Sequence, residues 1–241
     1  MTVSRFLIYI IISLIIILVL YNVFLYIIST EVLVKFQNLK TGDISPVSTD
    51  MIYKVNNTKY SYSVWIYVNN FSIQRKHSSL FLFESPNGKP IFRLFFDNEK
   101  PNYLMAEISG LKLSDGSNIM TITPNFTLQR WTNVAVSVDT YMVNCYIDGQ
   151  FLKSTPMSSV ANIDSSSIIR FGNNQDILLA NIIRWHYSID PQAAYYAYLQ
   201  GNGQSSNAFS IIPTIGENAG ATSYDSNYGK NNAENTYNSR V

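Results

Sequence analysis

The chain has 241 residues, a formal net charge of +1 and only 14% charged residues, so its composition gives no electrostatic case for binding nucleic acid. Its single cysteine, Cys145, excludes an intrachain disulfide, and its inward position in an alternating run predicts a buried structural thiol. Abundant Tyr, Asn, Ser and Ile favour strands and turns over helices.

Residues 6–28 form an apolar run that predicts a single transmembrane helix. The run begins at Phe6, has Ile16 near its centre and ends at Ile28, and no charged residue interrupts it. At about 1.5 Å per residue it would span about 34 Å, enough for a bilayer core of about 30 Å. It is longer than the apolar core of a signal peptide, and nothing like Ala-x-Ala follows it. We therefore expect residues 1–30 to be a retained anchor in a lipid bilayer, with an orientation that the few flanking charges do not decide.

Residues 31–50 contain several Gly, Pro, Ser and Asp turn signals and are predicted to be a stalk. Residues 51–201 are predicted to form one all-β domain, because short alternating runs follow one another with turn signals between them. The predicted strands cover residues 60–68, 79–84, 90–97, 103–109, 119–123, 131–154, 167–171 and 177–187. This pattern is typical of an antiparallel two-sheet sandwich or barrel with a single core.

The stretch 131–154 shows the pattern at its clearest. Two runs alternate apolar and polar residues, which predicts strands with one buried face, and their inward residues are Val134, Val136, Val138, Val143, Cys145 and Ile147. The pair Asp148-Gly149 then predicts a tight hairpin, because its backbone asks for positive φ, which Gly adopts without steric cost.

A short helix is predicted to close the domain. Asp190 suits the N-cap, Pro191 the first helical position, and Gly201 the C-terminal end. Spacing of three and four residues places three side chains on one face, which we expect to pack against the sheet: Tyr195, Tyr198 and Leu199.

These motifs, taken in order, resemble the signature of the concanavalin A-like sandwich in its laminin-G-like or pentraxin-like branch. The resemblance covers residues 60–201 and rests on six residues in particular: Trp65, Trp131, Asp148, Gly149, Gly172 and Arg184. It implies a concanavalin A-like jelly roll and says much less about function, since one fold hosts many functions.

The sequence lacks the motifs of the chemistry known on this fold. Glycoside hydrolases of the family carry Glu-x-Asp-x-x-Glu, and Glu84, Glu99 and Glu107 all lack that spacing, so we expect no enzyme. Calcium takes six to eight oxygens, and the weak candidates for such a site are Asp97, Asp115 and Asp176. Many relatives carry Asp where this chain has Asn181, which argues against an inherited calcium site, and we expect no cofactor. Glycan binding is compatible with the many Tyr and Asn residues, but no spacing identifies a site.

Residues 202–241 are rich in Asn, Ser, Gly and Tyr and cannot form a core of their own. They are either a disordered tail or an extended arm that becomes ordered against a partner. The candidate partner-binding residues of such an arm are Phe209, Ile211, Ile212, Tyr224 and Tyr228.

Two functions from different classes remain. The anchor, sandwich and arm, with the Asn, Ile and Tyr-rich composition, resemble membrane-linked minor capsid proteins of large DNA viruses, which predicts a structural protein that links a virion membrane to capsid proteins. The alternative is a lectin-like receptor or adhesin that binds glycans on a membrane surface, as the fold family suggests.

Overall fold

The computed structural model describes residues 9–21, 30–41, 46–48, 52–71, 79–159, 163, 166–172 and 175–203. Helix α1 covers residues 9–21, and helix α2 covers Pro191–Leu199. Between them lie twelve strands: β1 Thr30–Asn38, β2 Val47–Ser48, β3 Tyr60–Val68, β4 Ser79–Glu84, β5 Pro90–Phe96, β6 Leu104–Ile108, β7 Ile119–Thr123, β8 Trp131–Val138, β9 Met142–Ile147, β10 Gln150–Pro156, β11 Ile168–Phe171 and β12 Ile177–Trp185.

The strands form two antiparallel sheets of six strands each. The first has the order β1-β12-β3-β8-β9-β10, and the second has the order β2-β11-β4-β5-β6-β7. Their inner faces enclose one large apolar core, so the prediction of an all-β antiparallel sandwich with one short C-terminal helix is confirmed.

Strand β3 shows why the sequence folds this way. Its residues Tyr62, Val64 and Ile66 enter the core between the sheets, while Trp65 on the opposite face meets α2. On β9, Cys145 lies in the same core, as predicted, and burial raises the pKa of its thiol to about 12.

The stalk predicted over residues 31–50 is wrong in its first half, because residues 30–38 form β1. This strand pairs with β12 along its length, with Thr30 opposite Trp185 and Asn38 opposite Leu178. Its sequence TEVLVKFQN is rich in β-branched and aromatic residues, which suit a strand. The described part of the sandwich therefore includes the strand that starts at Thr30.

Helix α1 is apolar on every side. Apart from Ser13, each of its residues is a large apolar or aromatic one, and these residues expose between 47% and 64% of their surface. Among the described residues, no helix has the length and apolarity needed to cross a membrane. Ile16 lies in α1, whereas Phe6 and Ile28 lie outside the described residues, so the predicted membrane span stays a prediction.

Helix α2 lies on the outer face of the first sheet and begins as predicted. The Asp190 carboxylate accepts a hydrogen bond from the Ala193 amide at 2.8 Å, and Pro191 occupies the first turn. The predicted packing face is partly wrong: Ala194 and Ala197 are buried, Tyr198 stacks on Trp65, and the other two predicted residues, Tyr195 and Leu199, are about half exposed.

The reason is the close approach of α2 to the β9–β10 turn. A Cβ atom on Gly149 would lie 3.0 Å from the Tyr195 Cα and 3.0 Å from the Tyr198 Cβ. At such a distance only small side chains fit between the helix and the sheet, so the larger ones are directed sideways or outward.

Candidate functional site

The Asp148-Gly149 turn forms the hairpin that the sequence predicts. Both residues have positive φ, at 49° and 73°, as a tight two-residue hairpin requires. The Asp148 carboxylate also accepts a hydrogen bond from the Asn133 amide at 2.9 Å and pairs with Arg130 at 2.7 Å. These contacts fix the ends of β8 and β9, which is a structural role.

The other small and aromatic signature residues also serve packing. Trp65 stacks on Tyr198 with ring centroids 5.5 Å apart, and Trp131 packs at the same centroid distance on Tyr67. At Gly172 any Cβ would lie 1.9 Å from the Ser79 carbonyl oxygen, so only glycine permits this approach of two backbones.

The signature residue Arg184 belongs to a buried polar cluster. It exposes 1% of its surface and lies opposite Glu31 of β1 in the strand register, with Nη1 and Oε2 3.7 Å apart. Tyr62 of β3 lies opposite Arg184 on the other side of β12, so Glu31, Arg184 and Tyr62 form a row across three neighbouring strands. Burial raises the pKa of the Tyr62 phenol to about 12. Burial also raises the pKa of Glu31, against the lowering effects of the Tyr53 amide and of Arg184.

This cluster shapes the turn formed by residues 52–57. Arg184 donates hydrogen bonds to the carbonyl oxygens of Tyr53 at 3.1 Å and Lys54 at 3.3 Å, while the Tyr53 amide donates to Glu31 Oε1 at 2.6 Å. The ion pair thus ties β1, β12 and the turn together. The sequence singled out Arg184 through the family resemblance, but nothing in it indicated that Glu31 would be its partner.

The turn lies at the end of the sandwich where β1 begins, which we call the proximal end. The proximal end includes residues 52–59, 85–89, 109–118, 139–142, 157–159 and 186–190. Its turns are joined by the ion pair between Lys59 and Asp139 at 2.8 Å, and the Lys59 ammonium lowers the pKa of Asp139. Tyr53, Tyr141 and Met142 are exposed there, with Tyr141 at 76%. No sequence pattern indicates these residues, since exposure of a side chain in a turn leaves no periodic signal.

A second exposed apolar surface, the α2 patch, consists of Phe151, Leu152, Tyr195, Tyr196 and Leu199. Strand β10 contacts α2, which places Phe151 on the same side of the sheet as the helix. The Gln192 side chain donates a hydrogen bond to the Tyr196 hydroxyl at 3.1 Å, so an amide stands beside the rings. Aromatic rings with neighbouring amides can bind a sugar by stacking and hydrogen bonding.

The three calcium candidates lie in separate turns. Asp97 accepts hydrogen bonds from the amides of Glu99 and Lys100, and Asp115 accepts one from the amide of Ser117. The Asp176 carboxylate accepts a hydrogen bond from the Asn69 side-chain amide at 2.8 Å. Within the described part of the chain, no three acidic, His or Cys side chains converge as metal ligands would.

Two strand carboxylates face away from the core on the second sheet. Glu107 pairs with Arg93 at 3.2 Å, and Glu84 pairs with Arg170. Each carboxylate therefore has a cationic partner beside it. The residues predicted for the arm, Phe209, Ile211, Ile212, Tyr224 and Tyr228, lie outside the described residues.

Comparison with known proteins agrees with this architecture. The Laminin_G_3 family model, described as "Concanavalin A-like lectin/glucanases superfamily", matches residues 41–200. The chain belongs to this superfamily. The resemblance predicted from Trp65, Trp131, Asp148-Gly149 and Arg184 is thereby confirmed at the level of family and fold. The comparison with curated proteins returned no match.

Several solved structures are similar to this concanavalin A-like chain. The binding domain of botulinum neurotoxin DC, solved in complex with rat synaptotagmin II, has a TM-score of 0.50 and 13% identity, over 71% of this chain and 46% of the toxin chain. The same binding domain in complex with SialylT has a TM-score of 0.47 and 12% identity, over 61% and 37%. A Trypanosoma rangeli sialidase in complex with sialic acid has a TM-score of 0.46 and 13% identity, over 61% and 24%. The chain thus spans less than half the length of each of these proteins.

Proposed function

We propose that the chain is a non-enzymatic binding module that residues 6–28 hold in a membrane, and that the sandwich joins this membrane to a protein assembly. In this proposal the assembly is a virion shell, as the composition and plan of the sequence suggest, and the protein is a minor capsid component. A concanavalin A-like sandwich suits this role because it offers broad rigid faces and several loops for contacts.

The observation that carries the proposal is the surface of α1. A helix that is apolar on every side belongs in the core of a protein or in lipid, since water would contact apolar groups all round it. Residues 9–21 present such a surface, and they lie within the run of residues 6–28 that no charged residue interrupts.

The test is alkaline carbonate extraction of membranes from cells that express the full chain. We expect the native chain to stay in the membrane pellet. The variant Ile12→Lys/Ile16→Lys should move to the supernatant, because a lysine near the centre of a membrane helix costs about 2.5–3.5 kcal/mol.

The matched control places the same two charges on the other helix, in the variant Tyr196→Lys/Leu199→Lys, where both native residues are exposed. This control should stay in the pellet. If the native chain is extracted by carbonate, the membrane tether is refuted. Protease protection of the sandwich in intact particles then tests the virion assignment, which fails if no particle fraction contains the chain.

Glycan binding is the second candidate, and the α2 patch favours it. Phe151 and Tyr195 provide exposed rings, and the Gln192 amide donates a hydrogen bond to the Tyr196 hydroxyl in the same patch. A glycan array probed with the full chain in detergent, with and without calcium, tests this function. Binding should be lost in Phe151→Ala/Tyr195→Ala and kept in Leu128→Ala, which removes an exposed apolar residue elsewhere; absence of binding in both conditions would eliminate this candidate.

A further inference from the structure

We propose that the proximal end of the sandwich rests on the headgroup layer of the bilayer that holds α1, with Tyr53, Tyr141 and Met142 in contact with lipid. This inference rests on the membrane tether proposed above. The tether alone does not say which end of the sandwich faces the lipid or which residues contact the lipid, and this inference names both.

The chain that connects the membrane segment to the sandwich is short. The membrane segment proposed above ends at Ile28 and β1 begins at Thr30, which leaves only Ser29 between them, and even from Tyr21 the connection has no more than eight residues. Even a fully extended chain of this length reaches no more than about 30 Å. Thr30 pairs with Trp185 at the proximal end. The tether therefore attaches at this end of the sandwich.

The opposite end could face the membrane only at full stretch of the connection. Strand β3 has nine residues and is about 30 Å long at about 3.3 Å per residue. To bring the opposite end down to the lipid, the connection would have to run along the whole sandwich with no length to spare. Contact at the proximal end needs no such extension.

The two ends of the sandwich differ in character. At the proximal end Tyr141 is 76% exposed, and Tyr53 and Met142 are also exposed. At the opposite end Leu128 is 42% exposed, and the α2 patch, which adjoins the Asp148-Gly149 turn, lies on the outer face of the first sheet. Tyrosine prefers the boundary between water and lipid, because its ring is apolar and its hydroxyl is polar.

The Tyr53 side chain is held in place. The Glu31–Arg184 pair fixes the backbone of the 52–57 turn through bonds to Tyr53 and Lys54. The Tyr53 ring also packs edge-on against His186 with centroids 5.1 Å apart. A ring held in this way loses little conformational freedom when it meets a surface.

The net charge of the proximal end indicates which lipid property favours the contact. Lys59 is paired with Asp139, and the other charged residues of this end are Lys54, Lys89, Lys112, Asp115 and Asp190, so four lysines and three aspartates leave the end close to neutral. Attraction to anionic headgroups would need a clear excess of Lys or Arg. The contact we infer is therefore made by the rings, and phosphatidylcholine vesicles without anionic lipid should support it.

The experiment uses the full chain reconstituted in phosphatidylcholine vesicles that contain nitroxide-labelled lipid. A polarity-sensitive fluorophore is attached to Tyr141→Cys or, as the matched control, to Leu128→Cys. Cys145 is fully buried in the native chain and does not compete for the label. We expect the label at position 141 to shift to the blue and to be quenched severalfold more than the label at position 128.

The outcomes separate this inference from the tether on which it rests. If the protein floats with the vesicles but neither label is quenched, or both are quenched equally, docking of the proximal end is overturned and the tether stands. If the protein separates from the vesicles in flotation, the tether itself fails, and docking fails with it. Loss of quenching at position 141 when Tyr53→Ser is added would further support contact through the rings.

Discussion

The first and last elements of the sandwich, β1 and α2, attach to the same six-stranded sheet by different means. Strand β1 joins the edge of the sheet by pairing with β12, and its buried Glu31 lies beside Arg184 at 3.7 Å. Helix α2 lies on the outer face, where Ala194 and Ala197 are buried and Tyr198 stacks on Trp65. The attachment of β1 depends on a buried charge pair, and the attachment of α2 depends on close packing.

This difference determines which changes each attachment tolerates. A buried ion pair suffers most when one partner is removed, because the other charge is left in the interior without compensation. A close apolar contact suffers most when atoms are added, because packed neighbours have no free volume to give. The predictions below use each kind of change, from the largest expected effect to the smallest.

The largest effect should come from Arg184→Met. It leaves the Glu31 carboxylate buried without its partner and removes the hydrogen bonds to the 52–57 turn, which should cost about 3–5 kcal/mol of unfolding free energy. Urea unfolding of the full chain in detergent, followed by circular dichroism, measures this loss. The double variant Glu31→Gln/Arg184→Met should recover part of it, and a double variant as unstable as the single would show that the pair does not act as a unit.

A smaller effect, on the other attachment, should come from Gly149→Ala. The new methyl group would meet the backbone of α2 at 3.0 Å, and the residue has a φ of 73°. Gly88→Ala is a matched control, since Gly88 has a φ of 72° and nothing within 4 Å of the added Cβ. Both variants place alanine at a positive φ, which destabilises the folded state in each. The additional loss of unfolding free energy in Gly149→Ala, about 1–3 kcal/mol, therefore reports the contact with α2.

The readout for Gly149→Ala also includes the tryptophan fluorescence, which should change as Tyr198 moves off Trp65. Equal destabilisation in the two glycine variants, with unchanged fluorescence, would mean that α2 is not held by close packing at this turn.

Only the charge-based attachment should depend on mildly acidic pH. Burial raises the pKa of Glu31 above its ordinary 4.5, so the folded state holds this proton more tightly than the unfolded state. The resulting stability is fully present below pH 4.5 and is lost as pH rises through the folded pKa. Asp139 acts in the opposite sense at lower pH, because its pKa is lowered from 3.8.

The measurement is the urea midpoint of the native chain and of Glu31→Gln from pH 4.5 upward. We expect the native midpoint to fall relative to that of the variant as pH rises. Parallel profiles for the two proteins would indicate that Glu31 titrates as it does in water.

Much of the fold follows from period-two patterns in the sequence, and the bounds predicted for β3, β4 and β7 match the structure. Strand β1 was missed although Val32, Val34 and Phe36 alternate, because the apolar run before it and the turn residues after it suggested a linker. The packing of α2 was only partly predicted, since helical spacing cannot show that Gly149 comes within contact of the helix. The Glu31–Arg184 pair joins residues far apart in the chain, and no local pattern encodes such a contact.

The smallest effect should come from α1. If this helix belongs to the membrane and not to the sandwich, Ile12→Ser/Ile16→Ser should change the unfolding free energy of the sandwich by less than about 0.5 kcal/mol. Val32→Ser provides the contrast, because Val32 of β1 is buried beside Ile183 and Trp185 and its loss should cost about 1–3 kcal/mol. Both are measured by the urea unfolding described for Arg184→Met. A loss in the α1 variant as large as that of Val32→Ser would mean that α1 packs on the sandwich, and the exposed apolar surface of α1 would then be covered by protein and not by lipid.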